Sequence, residues 1–301
     1  MKNALILLTL LSYPLAAQQN VLIKSNSAVL NTWIYPKKNA ETVVLLHGGP
    51  GVPDPMQPII ELLKGQFQVI YFQQRGTGAS VCLNGSYRME DYISDLDAVA
   101  TNFDLEKFHL FGHSWGGLYA QIYAQERPER LHSLFLCSPS PGTGETWKQT
   151  EKEVMQFNRS VSSTWQWLSM GWRSLLGALG SDRAYRRMFR QVLENYGASL
   201  AADPASYGWL DGVAADPVNK TRKNILAWPP LRQTDQSPFL VTITYGAKDI
   251  YGDSLRQVTE RYPDAEVFTI SNSGHLPWIQ QPEQFADIVM KHYRREAYLY
   301  P

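Results

Sequence analysis

Short apolar runs alternate along most of the chain with longer segments of helical periodicity. Several apolar runs end at glycine or proline, which is typical of buried β-strands. Strands are predicted at 21–24, 28–35, 42–46, 68–72, 107–111, 132–137, 239–245 and 266–270. Helices are predicted at 89–102, 115–125, 254–261 and 283–295. The first two strands favour an antiparallel opening, and the later alternation of strands with helices favours parallel βαβ units, so we predict an α/β fold with a mostly parallel central sheet flanked by helices.

The pattern changes between about residues 141 and 237, where strand-like runs become rare and helical spacing dominates. This segment follows the sixth predicted strand and contains six tryptophans, at positions 147, 165, 167, 172, 209 and 228. It predicts a helical cap inserted between two parts of the core, 18–140 and 238–301. The tryptophans fit a lid with an apolar lining, but packing among the cap helices explains each of them equally well.

The first seventeen residues have the build of a secretory signal peptide. In MKNALILLTLLSYPLAA, Lys2 precedes an apolar run from Ala4 to Leu11 that is too short to span a bilayer, and small residues follow. We expect cleavage after Ala17, although Leu15 stands where a small residue is preferred. The mature protein would then be periplasmic or secreted, and the alternative is an apolar N-terminal strand or anchor.

Charge and cysteine content exclude several classes of protein. The chain has 301 residues, of which 44% are hydrophobic, and its 28 Lys and Arg residues equal its 28 Asp and Glu residues. With no net field to attract polyanions, we expect neither nucleic acid nor an anionic membrane surface as a partner. Since the N-terminal apolar run is too short to span a bilayer, we also expect no membrane span in the mature protein. The two cysteines, Cys82 and Cys137, are too few for a disulfide scaffold. Pairing remains an alternative to the two free thiols that we favour.

The sequence GHSWGG at 112–117 contains a G-x-S-x-G motif centred on Ser114. At ordinary glycine and serine frequencies the motif arises by chance in about one chain in ten of this length. Its position strengthens it, because the serine falls between a predicted strand and a predicted helix, where a sharp turn raises the hydroxyl above the sheet. A glycine-rich turn with a capping serine is the alternative. We predict that Ser114 is a nucleophile.

A serine hydroxyl needs a base, and histidine has a suitable pKa. Of six histidines, His275 in SNSGHLPW lies in a loop at the carboxyl edge of the predicted sheet, where open α/β sheets carry reactive groups. A carboxylate must hold the imidazole. Asp249 follows the end of the preceding strand closely, whereas Asp253 resembles a helix cap. The predicted triad is Ser114, Asp249 and His275, in the chain order of α/β-hydrolases.

The run TVVLLHGGPG at 42–51 passes from a buried strand into a loop with almost no side chains. Attack by Ser114 on a carbonyl places negative charge on the oxygen, and fixed N–H donors stabilise that charge by roughly 3 to 4 kcal/mol each. Only a backbone without bulky side chains approaches so closely. We predict that the oxyanion is bound by the N–H groups of Gly49 and Trp115, the residue after the nucleophile.

Taken together, these segments resemble the proline iminopeptidase group of α/β-hydrolases. The resemblance rests on HGGPG at 47–51, QQRGTGAS at 73–80, GHSWGG at 112–117, GAKD at 246–249 and SGH at 273–275. It implies a cap-covered serine hydrolase that removes an N-terminal residue, typically proline, from short peptides without metal or cofactor.

The chain departs from that family at two places. Gln73 stands where the family usually has aspartate, in a loop whose role we take to be structural. Family members bind the free amine of the substrate with glutamates on the cap, and the nearest counterpart here is YGWLDG at 207–212. Because a desolvated ammonium requires an anionic partner, Asp211 and Glu194 are candidates for that role. A solvated helix charge is the alternative for each.

Three functions fit these residues. The first is an exported serine aminopeptidase that acts through an acyl-enzyme on N-terminal proline or another small or apolar residue. The second is a carboxylesterase or lactonase on the same scaffold, with the same triad and no amine pocket. The third is a ligand receptor that has kept a hydrolase fold. Epoxide hydrolases and dehalogenases of this fold use an aspartate nucleophile, whereas position 114 is serine. The sequence predicts no oligomeric state.

Overall fold

Aliphatic, β-branched and aromatic residues form the central sheet in the computed structural model, which describes residues 18–54, 56–197 and 204–299. In this part of the chain the sheet has nine strands. They are β1 (Gln19–Lys24), β2 (Ala28–Tyr35), β3 (Thr42–Leu46), β4 (Gln68–Phe72), β5 (Val81–Cys82), β6 (Phe108–His113), β7 (Leu131–Cys137), β8 (Leu240–Gly246) and β9 (Glu266–Ile270). The predicted leader, residues 1–17, lies outside the described residues.

The strand order is β1-β2-β4-β3-β6-β7-β8-β9, with β5 paired to β2. β2 is antiparallel to β1, β4 and β5, and the other pairs are parallel. The antiparallel opening and the parallel remainder confirm the predicted fold class. The helical insertion, however, follows the seventh described strand rather than the sixth, because β5 has only two residues and leaves no apolar run in the sequence.

Helices cover both faces of the sheet and form the insertion. They are α1 (Gln57–Leu63), α2 (Met89–Asn102), α3 (Trp115–Glu126), α4 (Gly144–Val161), α5 (Thr164–Ala178), α6 (Asp182–Asn195), α7 (Ala215–Ala227), α8 (Arg256–Arg261), α9 (Pro277–Gln280) and α10 (Pro282–Leu299). Short 3₁₀ helices lie at Pro128–Arg130, Pro204–Gly212 and Asp253–Leu255. In the described residues, none of the helices is both long and apolar enough to cross a bilayer.

β3 shows how the sheet separates two hydrophobic layers. All five of its residues are buried, and alternate side chains of a strand point to opposite faces. Val43 and Leu45 accordingly join one core cluster, whereas Val44 and Leu46 join the other. A continuous apolar run is what a strand covered by helices on both faces requires.

The insertion, α4 to α7, lies between β7 and β8. A third hydrophobic cluster connects it to the core, because Val52 in the loop after β3 packs with Tyr185, Leu210 and Val213. Trp147 is buried, but Trp165 and Trp172 are exposed. The domain boundaries proposed from the sequence stay predictions, although the helical elements fall within 141–237. Cys82 and Cys137 are both free thiols.

A buried ion pair fixes the loop after β4 to α2. The Arg75 guanidinium donates two hydrogen bonds to Asp95, at 2.8 and 2.7 Å, and others to the carbonyl oxygens of Ser86 and Asp91. Both charged side chains are almost completely buried. Gln73, just before, accepts from Asn31 and from the Ala79 amide, which agrees with a structural role for this loop.

Removing the Arg75 guanidinium should destabilise the protein strongly. Arg75→Ala leaves the Asp95 carboxylate buried without its partner, so we expect the free energy of unfolding to fall by about 3 to 5 kcal/mol. The matched control is Arg127→Ala, which breaks a partly exposed pair with Asp97 at 3.3 Å and should cost at most about 1 kcal/mol. Urea denaturation measures both, and equal losses would contradict the assigned role of Arg75.

Candidate active site

Ser114 occupies a strained turn between β6 and α3. Its backbone angles are φ 54° and ψ −121°, a region in which a residue with a side chain costs on the order of 1 to 3 kcal/mol. Hydrogen bonds hold the turn: the Ser114 amide donates to the Cys137 carbonyl at 3.1 Å, and the Ser114 carbonyl accepts from the Gly117 and Ser140 amides. The side chain therefore stands at the carboxyl edge of the sheet.

Gly116 explains why the motif needs a small residue two positions after the serine. A Cβ at this position would overlap the carbonyl oxygens of Leu46 and His47. Those carbonyls belong to the end of β3 and to the loop that follows. The start of α3 therefore packs directly against residues 47–51, which we call the glycine loop. The spacing of the motif thus sets the distance between nucleophile and loop.

The structure brings Ser114, His275 and Asp249 into one hydrogen-bonded chain. The His275 Nδ1–H donates to Asp249 Oδ1 at 2.9 Å, and Nε2 accepts from the Ser114 hydroxyl at 3.0 Å. His275 comes from the loop after β9 and Asp249 from the loop after β8. Asp253, the weaker candidate, is exposed at the start of a 3₁₀ helix.

Electrostatics keep the hydrogen-bonded series of Ser114, His275 and Asp249 in the reactive protonation state. Burial lowers the pKa of His275 below its usual 6.5, although the charge and hydrogen bond of Asp249 oppose the shift. Burial alone would raise the pKa of Asp249, but the attraction and hydrogen bond of His275, together with other hydrogen bonds such as that from the Ile250 amide, lower it overall. At neutral pH the imidazole is therefore uncharged and its Nε2 can take a proton.

The glycine loop lies against the nucleophile, as its sequence requires. A Cβ on Gly48 would lie 3.4 Å from the Ser114 Cβ. Gly49 has φ +128°, a conformation that side-chain-bearing residues rarely adopt, and it lines the pocket above Ser114. Trp115 is the first residue of α3, whose first amides have no acceptor within the helix. The oxyanion role of Gly49 and Trp115 stays a prediction that this geometry favours.

Gln74 holds the glycine loop to α3, a role that sequence reasoning missed. Its side chain donates to the His47 carbonyl at 2.8 Å and accepts from the Trp115 indole at 2.7 Å. The backbone N–H of Gln74 donates to His47 Nε2, while His47 Nδ1 donates to the Gly48 carbonyl. Burial lowers the pKa of His47 to about 4, which keeps this arrangement uncharged. The only available signal was its place in QQRGTGAS.

Tyr251 is a second contact of the nucleophile that sequence reasoning missed. Its hydroxyl lies 3.3 Å from Ser114 Oγ and 2.8 Å from Ser140 Oγ, and its ring packs edge-on against His275. Burial raises the pKa of Tyr251, so the phenol stays protonated. The residue lies two positions after Asp249, but nothing in its spacing indicates that it returns to Ser114.

A cavity of about 270 Å³ opens above Ser114 and His275. Its walls are mainly apolar and come from the loop after β3, from the insertion and from α9: Val52, Phe189, Leu193, Tyr196, Trp209 and Trp278. Among the cap tryptophans named from the sequence, Trp209 is the one that lines this pocket. Asp54 contributes a carboxylate to the lining, and its Oδ2 lies 3.4 Å from His113 Nδ1.

Asp211 and Glu194 are not among the residues that line this pocket, so their role in amine binding stays a prediction that the geometry does not favour. Glu194 is exposed on α6, although its neighbours Leu193 and Tyr196 line the pocket. Asp211 is also exposed and lines a different cavity, among five arginines. The folding of the insertion decides which side of α6 faces Ser114, and the charge pattern of the sequence does not reveal it.

The described residues contain no group of three or more His, Cys, Asp or Glu side chains arranged to hold a metal ion. The other histidines have structural contacts. His109 and His292, for example, both bond to the Ser133 hydroxyl within the core.

Comparison with known proteins places this geometry in a family. A family model described as alpha/beta hydrolase matches residues 43–288. A proline iminopeptidase of Lactobacillus delbrueckii subsp. bulgaricus is 30% identical over 281 residues, which cover 82% of this chain and 88% of that protein. A pimeloyl-(acyl-carrier protein) methyl ester esterase of Aeromonas salmonicida is 27% identical over 82% of this chain and 93% of its own.

The solved carboxylesterase CesB (YbfK) of Bacillus subtilis shares the fold. Its TM-score is 0.64 at 17% identity, and the match covers 92% of each chain. At this identity the likeness concerns the fold alone. The resemblance inferred from the motifs is thus confirmed at the level of the α/β-hydrolase fold.

The lowered pKa of His275 predicts where activity is lost in acid. Protonation of Nε2 removes the base, so the acid limb of the kcat/KM profile should lie below pH 6.5, the usual imidazole value. Hydrolysis of p-nitrophenyl acetate measures it, because this substrate does not ionise. Asp249→Asn removes a charge that favours the imidazolium and should move the limb to still lower pH. A limb at or above the usual value would contradict the assignment.

Proposed function

The chain belongs to the alpha/beta hydrolase family, and we propose that it is a serine hydrolase that removes N-terminal proline or another small apolar residue from short peptides. The proposal rests on the triad geometry and on one carboxylate, that of Asp54, in an otherwise largely apolar pocket beside the nucleophile.

The triad supports an acyl-enzyme route. Ser114 Oγ attacks the carbonyl carbon of the scissile bond while His275 Nε2 accepts the hydroxyl proton, and Asp249 stabilises the resulting imidazolium through Nδ1–H. The oxygen that gains negative charge faces the amides of Gly49 and Trp115. Because these donors are fixed by the fold, they need no reorganisation when the charge forms.

Collapse of the tetrahedral intermediate breaks the bond to the leaving amine, which takes its proton from His275 Nε2. The acyl group remains bound to Ser114 as an ester. Water then enters, gives its proton to His275 and attacks the same carbonyl carbon, so that the acid product leaves and the serine hydroxyl is restored. The Tyr251 hydroxyl, within hydrogen-bonding distance of Ser114 Oγ, helps to orient the nucleophile.

Asp54 distinguishes an aminopeptidase from a general esterase. The charged amine of a peptide N-terminus loses water when it enters an apolar pocket, and an anionic partner must compensate for that loss. Asp54 takes the part that the sequence assigned to Asp211 or Glu194, since its carboxylate lines the pocket and theirs do not. The aromatic walls formed by Tyr196, Trp209 and Trp278 suit a proline ring.

A carboxylesterase is the second candidate, and one contact favours it. His113 lies 3.4 Å from the Asp54 carboxylate. At this distance the imidazole occupies space beside the carboxylate that a substrate ammonium would need, and a pocket without room for an ammonium suits an uncharged acyl group. The methyl ester esterase among the relatives is consistent with this second reading.

We also propose export, with residues 1–17 removed as a leader, on the basis of the apolar run after Lys2. N-terminal sequencing of the protein recovered from envelope and culture fractions of expressing cells should begin at Gln18. A chain in those fractions that still begins at Met1 would contradict cleavage.

A substrate panel separates the functions. The wild type should hydrolyse prolyl p-nitroanilide, N-acetylation of its proline should abolish turnover, and Ser114→Ala should reduce kcat/KM by at least about 10⁴-fold. Asp54→Asn should lower the ratio of prolyl arylamide to p-nitrophenyl acetate turnover by about 100-fold, because the ammonium loses its anionic partner. Glu194→Gln, on the exposed side of α6, is the matched control and should leave the ratio unchanged.

Each alternative gives a different result in this panel. Ester hydrolysis without arylamide hydrolysis would identify a carboxylesterase. Equal rates for free and acetylated substrates would end the assignment of Asp54, and full activity of Ser114→Ala would end that of the triad. Saturable ligand binding with negligible turnover of every acyl substrate would indicate a receptor.

A further inference from the structure

Helix α5 exposes a row of large apolar side chains on one face. Trp165, Leu168, Trp172, Leu175 and Leu179 recur at intervals of three or four residues, which places them along a single stripe. Between 52% and 81% of each of these side chains is exposed. The buried residues of α5, Met170 and Gly177, lie on a different face. We call these five residues the apolar stripe.

A strongly basic cavity adjoins the apolar stripe. It has a volume of about 580 Å³, and its lining contains Asp211 and five arginines: Arg173, Arg183, Arg186, Arg187 and Arg190. Four of these arginines recur on one face of α6 at intervals of three and four residues, where like charges repel one another. A cluster of this kind favours a ligand that carries several negative charges. We call it the arginine cavity.

Arg173 connects the two features. It belongs to α5, one residue after Trp172 of the apolar stripe, and it lines the arginine cavity formed mainly by α6. Its guanidinium donates to the Arg187 carbonyl at 3.2 Å, which fixes one helix to the other. Helix α5 therefore contributes both to the apolar stripe and to the arginine cavity.

We propose that this face of the insertion docks on an anionic phospholipid surface. The apolar stripe enters the boundary between headgroups and acyl chains, where tryptophan and leucine are favoured, and the arginine cavity receives lipid phosphates. Charge complementarity selects this partner, because the five arginines match the phosphate headgroups. The exposed tryptophans and leucines match the boundary with the acyl chains. The zero net charge of the chain does not oppose this, since the field at a surface depends on nearby charges.

Docking would bring the pocket close to the membrane. The same helix, α6, carries the arginines on one face and the pocket residues Phe189 and Leu193 on another. On the neighbouring 3₁₀ helix, Trp209 lines the pocket and Leu210 lines the arginine cavity. The proposal does not depend on which substrate the pocket takes.

Hydrogen–deuterium exchange locates the contact. The full chain is incubated with vesicles of phosphatidylcholine alone or of phosphatidylcholine mixed with phosphatidylglycerol. Amides of residues 164–179 should exchange more slowly only when phosphatidylglycerol is present. Protection confined to residues 1–17, or no protection of α5, would overturn the proposal.

Matched variants test the two surfaces in a vesicle co-sedimentation assay. Leu168→Ser with Leu175→Ser should lower the partition coefficient at least about tenfold, whereas Leu22→Ser with Leu83→Ser alters equally exposed leucines elsewhere and should not. Arg183→Gln with Arg187→Gln should reduce binding to phosphatidylglycerol vesicles by about fivefold per arginine. Arg232→Gln with Arg256→Gln is the charge-matched control on another surface.

Two further outcomes would also overturn the proposal. Equal partitioning onto both kinds of vesicle would exclude recognition of anionic lipid. Sedimentation equilibrium that detects a dimer, together with protection of 164–179 in the absence of lipid, would show that a second copy covers the apolar stripe. Unchanged hydrolysis of a soluble ester by all four variants verifies that each is folded.

Discussion

The strained turn at Ser114 is the constraint on which the site depends. A serine at φ 54° is strained, and it persists because its amide and carbonyl groups are bonded on both sides, to Cys137, Gly117 and Ser140. The turn raises the hydroxyl above β6 and starts α3 at Trp115, so one backbone conformation positions both the nucleophile and a predicted oxyanion donor. Only glycine fits at position 116, since the glycine loop approaches from β3.

Glutamines join the loops that meet at this sheet edge. Gln74 ties the glycine loop to the indole of Trp115, and Gln280 accepts from the Gly274 amide beside His275 while donating to the Tyr196 carbonyl of the insertion. A neutral amide both donates and accepts, so it links two loops without a buried charge. These contacts keep the triad and the cap in one arrangement, which catalysis by fixed donors requires.

The insertion separates polar and apolar functions on neighbouring helix faces. One side of α6 contributes Phe189 and Leu193 to the pocket, and another gathers the arginines. Asp211 lines the arginine cavity and not the pocket. The composition of the whole chain does not reveal this region. The numbers of acidic and basic residues are equal, yet arginines are in local excess on α6, near the exposed tryptophans of α5.

The sequence by itself determined the layers of the fold and the three residues that the structure joins by hydrogen bonds at the sheet edge. Buried strands such as 42–46 and 68–72 are continuous in the chain, and Ser114, Asp249 and His275 each follow a strand whose end the apolar pattern marks. Only the tertiary structure brought Asp54, Gln74 and Tyr251 to the site and placed Asp211 and Glu194 outside the lining of the pocket. Gln74 acts on residues 27 and 41 positions away, and the orientation of α6 follows from packing among helices. Local periodicity fixes which face of a helix is apolar, but only the assembled neighbours decide what that face meets.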